Sequence, residues 1–278
     1  MPSLKEIRTK ISSVKSTKRI MQAMKMIATV KYAKTQVMIN SFRPYYDAYQ
    51  KIIGTVSKMS TKSGEKFLKK REGDNDLLVL ISSDRGLCGS YNTSLFRKIE
   101  KEDAIYSAKL FVGKKGQDYF KENSLYDEEI SFTEKNYKEV GKNISDKLLS
   151  SYLNDELSNI YIGYNHFVSA IVQEPKIVKV LPFENTGDGE ELSADVLIEP
   201  DVETFVDIVF PQYFNLIVCS ILLDAITSEH AARTAAMDNA TKNADEIIKE
   251  TTKLFNKTRQ ASITKELMDI VNGAEAVK

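Results

Sequence analysis

The residues best suited to chemistry lie in one short segment, SSDRGLCGSYN from Ser82 to Asn92. It holds two glycines, an acid beside a base (Asp84, Arg85) and one of two cysteines, Cys88. The segment follows an apolar run, Leu77 to Ser82, that reads as a strand, and the carboxyl end of such a strand is where open α/β sheets place ligands. Two readings compete. Either Asp84 and Arg85 form a recognition pair with a working thiol at Cys88, or this is a tight strand-to-helix turn in which Cys88 is a small buried hydrophobe. No base for the thiol stands nearby in sequence.

Other chemistry finds little footing. His166 and His230 are the only histidines, which excludes most histidine-based metal and acid/base schemes. His230, beside Glu229 in a helical pattern, reads as a packed or partly exposed helix residue. Cys88 and Cys219 have neither CxxC spacing nor neighbouring histidines, so no disulfide framework or zinc site is indicated and a reducing compartment fits. No GxGxxG follows the first strand, no GxxxxGKS or GxxxxGKT occurs, and GKKG at Gly113 to Gly116 is too short to cradle phosphates. The sequence therefore predicts no catalytic residue, no cofactor and no metal site.

The elements that would hold the turn are clearer. Between Pro2 and Pro44 there is neither glycine nor proline, and Ser3 with Glu6 has capping-box spacing, so a long helix begins here. Apolar residues at Leu4, Ile7, Ile11, Val14, Met21, Met24 and Ala28 keep mostly three- and four-residue steps. The stripe is broken near Thr17 and Lys18 and runs on into Val37, Met38 and Phe42. From Tyr213 to Lys278 there is no proline and one glycine, Gly273. A second stripe is read there at Leu223, Ile226, His230, Arg233, Met237, Ala240, Ala244, Ile247, Thr251, Leu254, Thr258 and Ala261. At ~1.5 Å per residue these helices reach roughly 80 and roughly 95 Å, against a usual helix of ~11 residues. The simplest pairing winds the first against the last, antiparallel; the competing reading makes both the outer helices of a bundle.

Between them, Leu77 to Ser82, Lys109 to Gly113, Glu129 to Thr133 and Ile160 to His166 read as strands, and Ser169 to Phe183 as a longer, more exposed one. Helical stretches at Ser94 to Glu102, Gln117 to Glu122 and Tyr137 to Leu153 alternate with them, the pattern of a small doubly wound sheet. Ser60 to Asp76 and Thr186 to Ala194 read as linkers, with an acidic loop at Asp188 to Leu192. The expected fold class is α/β: a long antiparallel coiled coil of N- and C-terminal helices plus a small Rossmann-like α/β domain. The expected division is a coiled-coil helix at 1–58, the α/β domain at 59–200 and a second coiled-coil helix at 201–278.

An apolar share of 42% in 278 residues suffices for a folded core. The most apolar run, Leu216 to Leu223, is far shorter than the roughly 20 residues of a membrane span, so any membrane contact is expected to go through partners. Net charge is zero, but residues 1 to 58 hold twelve Lys or Arg against two acids, Glu6 and Asp47. Such an arm reads as a transit segment, as a helix for nucleic acid or membrane surfaces, or as a shaft meeting an acidic protein. A transit segment fits less well, because the pattern continues past residue 30. At the other end Ile263, Leu267, Ile270, Val271 and Ala274 form an apolar face that either packs on the chain's own core or seats in other subunits.

Three separated stretches resemble the gamma subunits of F-type ATP synthases: KEIRTKISSVKSTKRIMQAMKMIA at 5–28, SSDRGLCGSYN, and EHAARTAAMDNATKNADEII with FNKTRQASITKELMDIVNGAEAV across 229–277. Met21 and Gln22 stand where the family often has threonine and lysine, Ser90 replaces a glycine and Phe255 a tyrosine; residues 104–200 resemble the family loosely. The resemblance implies a non-catalytic rotor shaft coupling ion flow through a membrane ring to ATP synthesis or hydrolysis at beta-subunit sites. The implied partners are alpha and beta subunits, the epsilon subunit and a ring of c subunits, with neither nucleic acid nor direct membrane insertion. It also implies that Met24 and Arg233 meet moving beta-subunit elements, that Arg259 and Gln260 meet catch loops, and that Ile263, Leu267, Ile270, Val271 and Ala274 form an apolar bearing. The implied location is peripheral, on the cytoplasmic face of a bacterial plasma membrane, with the matrix side of the mitochondrial inner membrane as the alternative. The competing functions are a nucleic-acid binder using the basic helix and a nucleotide-dependent enzyme built on the middle domain, the latter opposed by the missing phosphate loops.

Overall fold

The computed structural model describes residues 3–58, 61–69, 71, 73–102, 106–121, 125, 130–183 and 198–275, without the side chains of 274 and 275. The acidic loop and second linker expected between 186 and 194 lie outside these residues. The chain divides into two compact units, residues 1–27 with 234–278, and residues 28–233.

In the first unit the opening of helix α1, Leu4–Val56, faces the last part of helix α6, Val202–Glu275. The capping box forms as its spacing requires: Ser3 N donates to Glu6 Oε2 at 3.0 Å and Glu6 N to Ser3 Oγ at 3.3 Å. The two helices run antiparallel. Lys18 meets Asp245 at 2.5 Å and Lys25 meets Asp238 at 2.5 Å. The break in the α1 stripe at Lys18 is thus a seam position whose ammonium finds a carboxylate across the interface.

The stripe of α6 differs in phase from the one expected. Met237, Ala244 and Thr251 are buried, but Ile247 and Leu254 are 42% and 45% exposed, while Thr241, Ile248 and Phe255 are half-buried. The seam therefore steps by four and then three from Met237, rather than by three and then four. Adjacent apolar pairs such as Ile247 and Ile248 satisfy either phase, and the facing helix decides between them.

The second unit is built on a four-stranded sheet in the order β2-β1-β3-β4, comprising β1 (Asp76–Ile81), β2 (Ala108–Val112), β3 (Asn159–Phe167) and β4 (Gln173–Leu181). Strand β1 pairs parallel with β2 and β3, and β4 closes the edge antiparallel to β3. The apolar run of β1 is continuous because both faces are covered. Leu77, Val79 and Ile81 belong to the larger core with helices α5 (Tyr137–Leu153) and α6. Leu78 and Leu80 pack with Leu95, Phe96 and Ile99 of helix α3, Tyr91–Glu102.

Phe210, Phe214, Val218 and Leu222 of α6 are buried in that larger core. By length and composition this helix contains a window apolar enough to cross a membrane, which the search for one uninterrupted run overlooked; 61% of the window is buried in the protein. Its hydrophobicity serves the α/β core. Helix α5 passes close to α6 at Gly141, where a Cβ would sit 2.6 Å from Cys219 Sγ.

Three local expectations give way. Of the strand expected at Glu129 to Thr133 only Ile130 bridges, to Val112, and Glu129 lies outside the described residues. The polar linker Ser60 to Asp76 contains helix α2, Lys62–Leu68, capped by Thr61 and held by buried Phe67, which stacks on Phe210. The helix expected at Gln117 to Glu122 begins earlier, as α4 at Lys114–Phe120, so GKKG opens a helix.

Candidate functional site

The turn from Ser82 to Asn92 takes the tight strand-to-helix form. Ser83 N donates to Asn92 Oδ1 at 3.1 Å and Asn92 Nδ2 donates to Ser83 Oγ at 2.7 Å, which closes the loop on itself. Cys88 is buried with Tyr91 and Ala232, and burial pushes its thiol above the usual range, so the thiolate a nucleophile needs is disfavoured. Asp84 and Arg85 do not pair. The Asp84 carboxylate accepts from Lys114 N at 3.2 Å and from the Ser131 hydroxyl.

Arg85 and Gly86 contribute backbone instead. The Arg233 guanidinium on α6 donates to the carbonyls of Arg85 at 3.2 Å and Gly86 at 3.3 Å and pairs with Glu229 at 2.7 Å. The next residue, exposed Leu87, is held at φ 64°, a left-handed conformation uncommon for leucine. Tyr91 fastens the far side: its hydroxyl donates to Ala225 O at 3.0 Å and its carbonyl accepts from Asn165 Nδ2 at 2.8 Å.

A charged cluster lies on the same stretch of α6. Lys31 of α1 meets buried Glu134 at 3.3 Å, and His230 Nε2 lies 3.9 Å from the same carboxylate. Burial lowers the His230 pKa to about 4, with Lys31 and Arg233 adding and Glu134 opposing, so the ring is neutral near neutral pH. Burial raises Glu229 against the pull of Arg233. Burial would also raise Glu134, but its backbone hydrogen bond and Lys31 outweigh this and leave it lowered. Sequence reasoning singled out Arg233 and His230 but missed Lys31 and Glu134, which are 103 residues apart and give no local signal.

The other expected site residues belong to the first unit. Met24 is half-buried on α1 in the first unit, and Arg259 and Gln260 are exposed on α6. Extrapolated along the seam, the ion-pair register sets Leu4 level with Arg259. Beyond that level Ile263, Leu267, Ile270 and Val271 are all exposed, Ile270 by 68%. The side chain of Ala274 lies outside the described residues.

A family model described as ATP synthase matches residues 3–277. The ATP synthase gamma chain of Lawsonia intracellularis is 38% identical over 291 residues, covering all of both chains, and that of Halothermothrix orenii 36% over 290 residues, again covering all of both. The chain belongs to the ATP synthase gamma-chain family. Among solved structures, the central stalk and c-ring of Tetrahymena thermophila mitochondrial ATP synthase contains a chain 26% identical to this one, with a TM-score of 0.60, covering 80% of this chain and 99% of that one. A chain of the Euglena gracilis mitochondrial ATP synthase shares the fold at 21% identity and a TM-score of 0.66, covering 99% and 94%. Two of the gamma-chain stretches recognised in the sequence meet in space, since Arg233, itself paired with Glu229, bonds to the SSDRGLCGSYN turn. Three bases of the basic arm, Lys18, Lys25 and Lys31, are paired with the chain's own acids, which leaves the nucleic-acid reading unsupported.

Proposed function

We propose that this gamma chain is the rotor shaft of an F-type ATP synthase, coupling ion flow through a membrane ring to ATP synthesis or hydrolysis on neighbouring subunits. The observation that carries the mechanical reading is the end of the helix pair. Past the level of Leu4, α6 continues with an exposed apolar face that a chain working alone would have no reason to keep. Ile263, Leu267, Ile270 and Val271, with Ala274, would seat in a collar of alpha and beta subunits as a bearing. Met24, Arg233, Arg259 and Gln260 would meet the moving elements of beta. In this reading the shaft comprises 1–58 and 201–278, and 59–200 forms a foot against epsilon and the c-ring.

No step of the chemistry falls to this chain; nucleotide would be bound and hydrolysed on beta. An asymmetric shaft offers different faces to equivalent neighbours and biases each toward a different state. The bias is a coupling free energy, hence reciprocal, so hydrolysis drives the shaft backwards. Contacts made by Lys and Arg should weaken with salt and the apolar bearing should not. The placement that follows is peripheral, on the cytoplasmic face of a bacterial plasma membrane.

Co-purification of the full chain with alpha and beta subunits tests the assignment directly. Met24→Lys, which adds a charge where beta would move, should lower ATP-driven ion pumping more than ATPase activity. Equal pumping per ATP in variant and parent would remove Met24 from the contact.

A further inference from the structure

Helix α2, Lys69, Arg71 and three residues that precede β3, Asp155, Leu157 and Ser158, border an open pocket of about 690 Å³ in the second unit. Among the described residues its lining brings four cations together, Lys62, Lys66, Lys69 and Arg71, against two acids, Glu65 and Asp155. Buried Leu157 and Ser158 form its floor. The size is that of a small-molecule site.

Arg71 is fixed before any ligand arrives. Its guanidinium lies 3.8 Å from the centroid of the Tyr152 ring. Its Nη1 donates to the carbonyls of Tyr152 and, at 3.5 Å, Leu157, and it meets the Asp155 carboxylate at 2.7 Å. Asp155 itself sits at φ 61°, just past the end of α5. All these bonds use one nitrogen. Among the described residues Nε and Nη2 have no partner, which leaves one edge of a planar fork available.

The lysines are less engaged, although the Glu203 carboxylate, which accepts from the backbone of Lys62 and Ser63 at 2.9 and 2.8 Å, attracts the Lys62 ammonium. No ion pair or hydrogen bond engages the ammonium groups of Lys62, Lys66 or Lys69 among the described residues. Among the described lining residues, with Asp155 compensating Arg71, the ammonium groups of Lys62, Lys66 and Lys69 share the space with the carboxylate of Glu65, and Glu203 acts on Lys62 from outside the lining. The fixed Arg71 guanidinium and these lysines line the same pocket, and a planar fork with neighbouring ammonium groups is the donor set that recognises phosphate bidentately and neutralises its charge.

We propose that this pocket binds a phosphoryl-bearing polyanion, with the free edge of Arg71 as the orienting fork and Lys62, Lys66 and Lys69 as the neutralising arms. The inference does not depend on the shaft reading, because the chain alone can be assayed. The phosphate could belong to a soluble compound or to an anionic lipid headgroup, and two probes separate these sources. The full chain is titrated with inorganic pyrophosphate by calorimetry at low salt, and separately floated with phosphatidylcholine vesicles with and without phosphatidylglycerol.

Saturable pyrophosphate binding identifies a soluble phosphate, and flotation that requires phosphatidylglycerol without pyrophosphate binding identifies a headgroup. In whichever arm binds, the Lys66→Gln Lys69→Gln pair, both exposed and free of internal partners, should weaken binding at least about tenfold. Glu65→Gln, which removes the opposing charge, should tighten it by about threefold, a gain that misfolding cannot produce. Absence of binding in both arms overturns the proposal. So does binding that neither the double lysine variant nor the glutamate variant alters.

Discussion

Replacing His230 by glutamine should flatten the acid limb of this chain's stability. In the folded protein the ring is held at about 4 against an ordinary value of 6.5, by burial first and then by Lys31 and Arg233. The sign follows from which state binds the proton. With the folded value lowered, the unfolded chain takes up a proton first, so stability falls as pH falls from about 6.5 to about 4 and is unaffected above that window. The interval between the two values, at ~1.36 kcal/mol per pH unit, sets the full loss near ~3 kcal/mol, with ~2 kcal/mol gone by about pH 5.

Two neighbours titrate nearby with opposite signs. Lowered Glu134 adds to the loss in acid, whereas raised Glu229 is stabilised as it gains a proton. The informative quantity is therefore the difference between parent and His230→Gln, which share both carboxylates. The chain has no tryptophan, so urea unfolding followed by far-ultraviolet circular dichroism at several pH values is the assay. Parallel loss of stability in the two proteins between about pH 7 and about pH 5 would refute the reasoning.

Gly141→Ala should destabilise the chain by ~1–3 kcal/mol, because the added Cβ meets Cys219 Sγ at 2.6 Å, and adding Cys219→Ala should recover most of it in the same unfolding assay. Arg233→Ala strips a buried partner from Glu229 and two donors from the turn, an expected cost of about 3 kcal/mol that Glu229→Gln should partly relieve. An Arg233→Ala protein as stable as its parent would show that this clamp is idle. Truncation after Leu267 removes residues that are exposed from Met268 to Gly273 and should change the unfolding free energy of the chain by no more than ~0.5 kcal/mol, while weakening reconstitution with alpha and beta subunits.

The long helices were legible because glycine and proline are missing over long stretches, and because Ser3 and Glu6 have capping-box spacing. The first strand was legible because both its faces are buried and its apolar run is unbroken. The phase of the α6 stripe was not, since Ile247 with Ile248 and Leu254 with Phe255 fit either alternative until a facing helix chooses. Helix α2 hid in a polar segment because Thr61 and Phe67 are its only local signals, and what holds Phe67 is Phe210, far along the chain. At the site, the turn and Arg233 were both visible as motifs. Their contact was not, because it joins residues 148 apart. Lys31 and Glu134 were missed for the same reason, and the unpaired lysines around Arg71 looked like an ordinary solvated linker.

The ion pairs between α1 and α6 also act as a vernier. Lys18 and Lys25 are one heptad apart, as are Asp238 and Asp245. Sliding one helix by a heptad, which restores the same kind of seam position opposite each residue, leaves one lysine opposite an aspartate and strands the other pair. Only one alignment matches both marks. Small seam residues such as Ala244 and Thr251 fit many neighbours and cannot fix the alignment through shape, so the reading of the scale falls to charge.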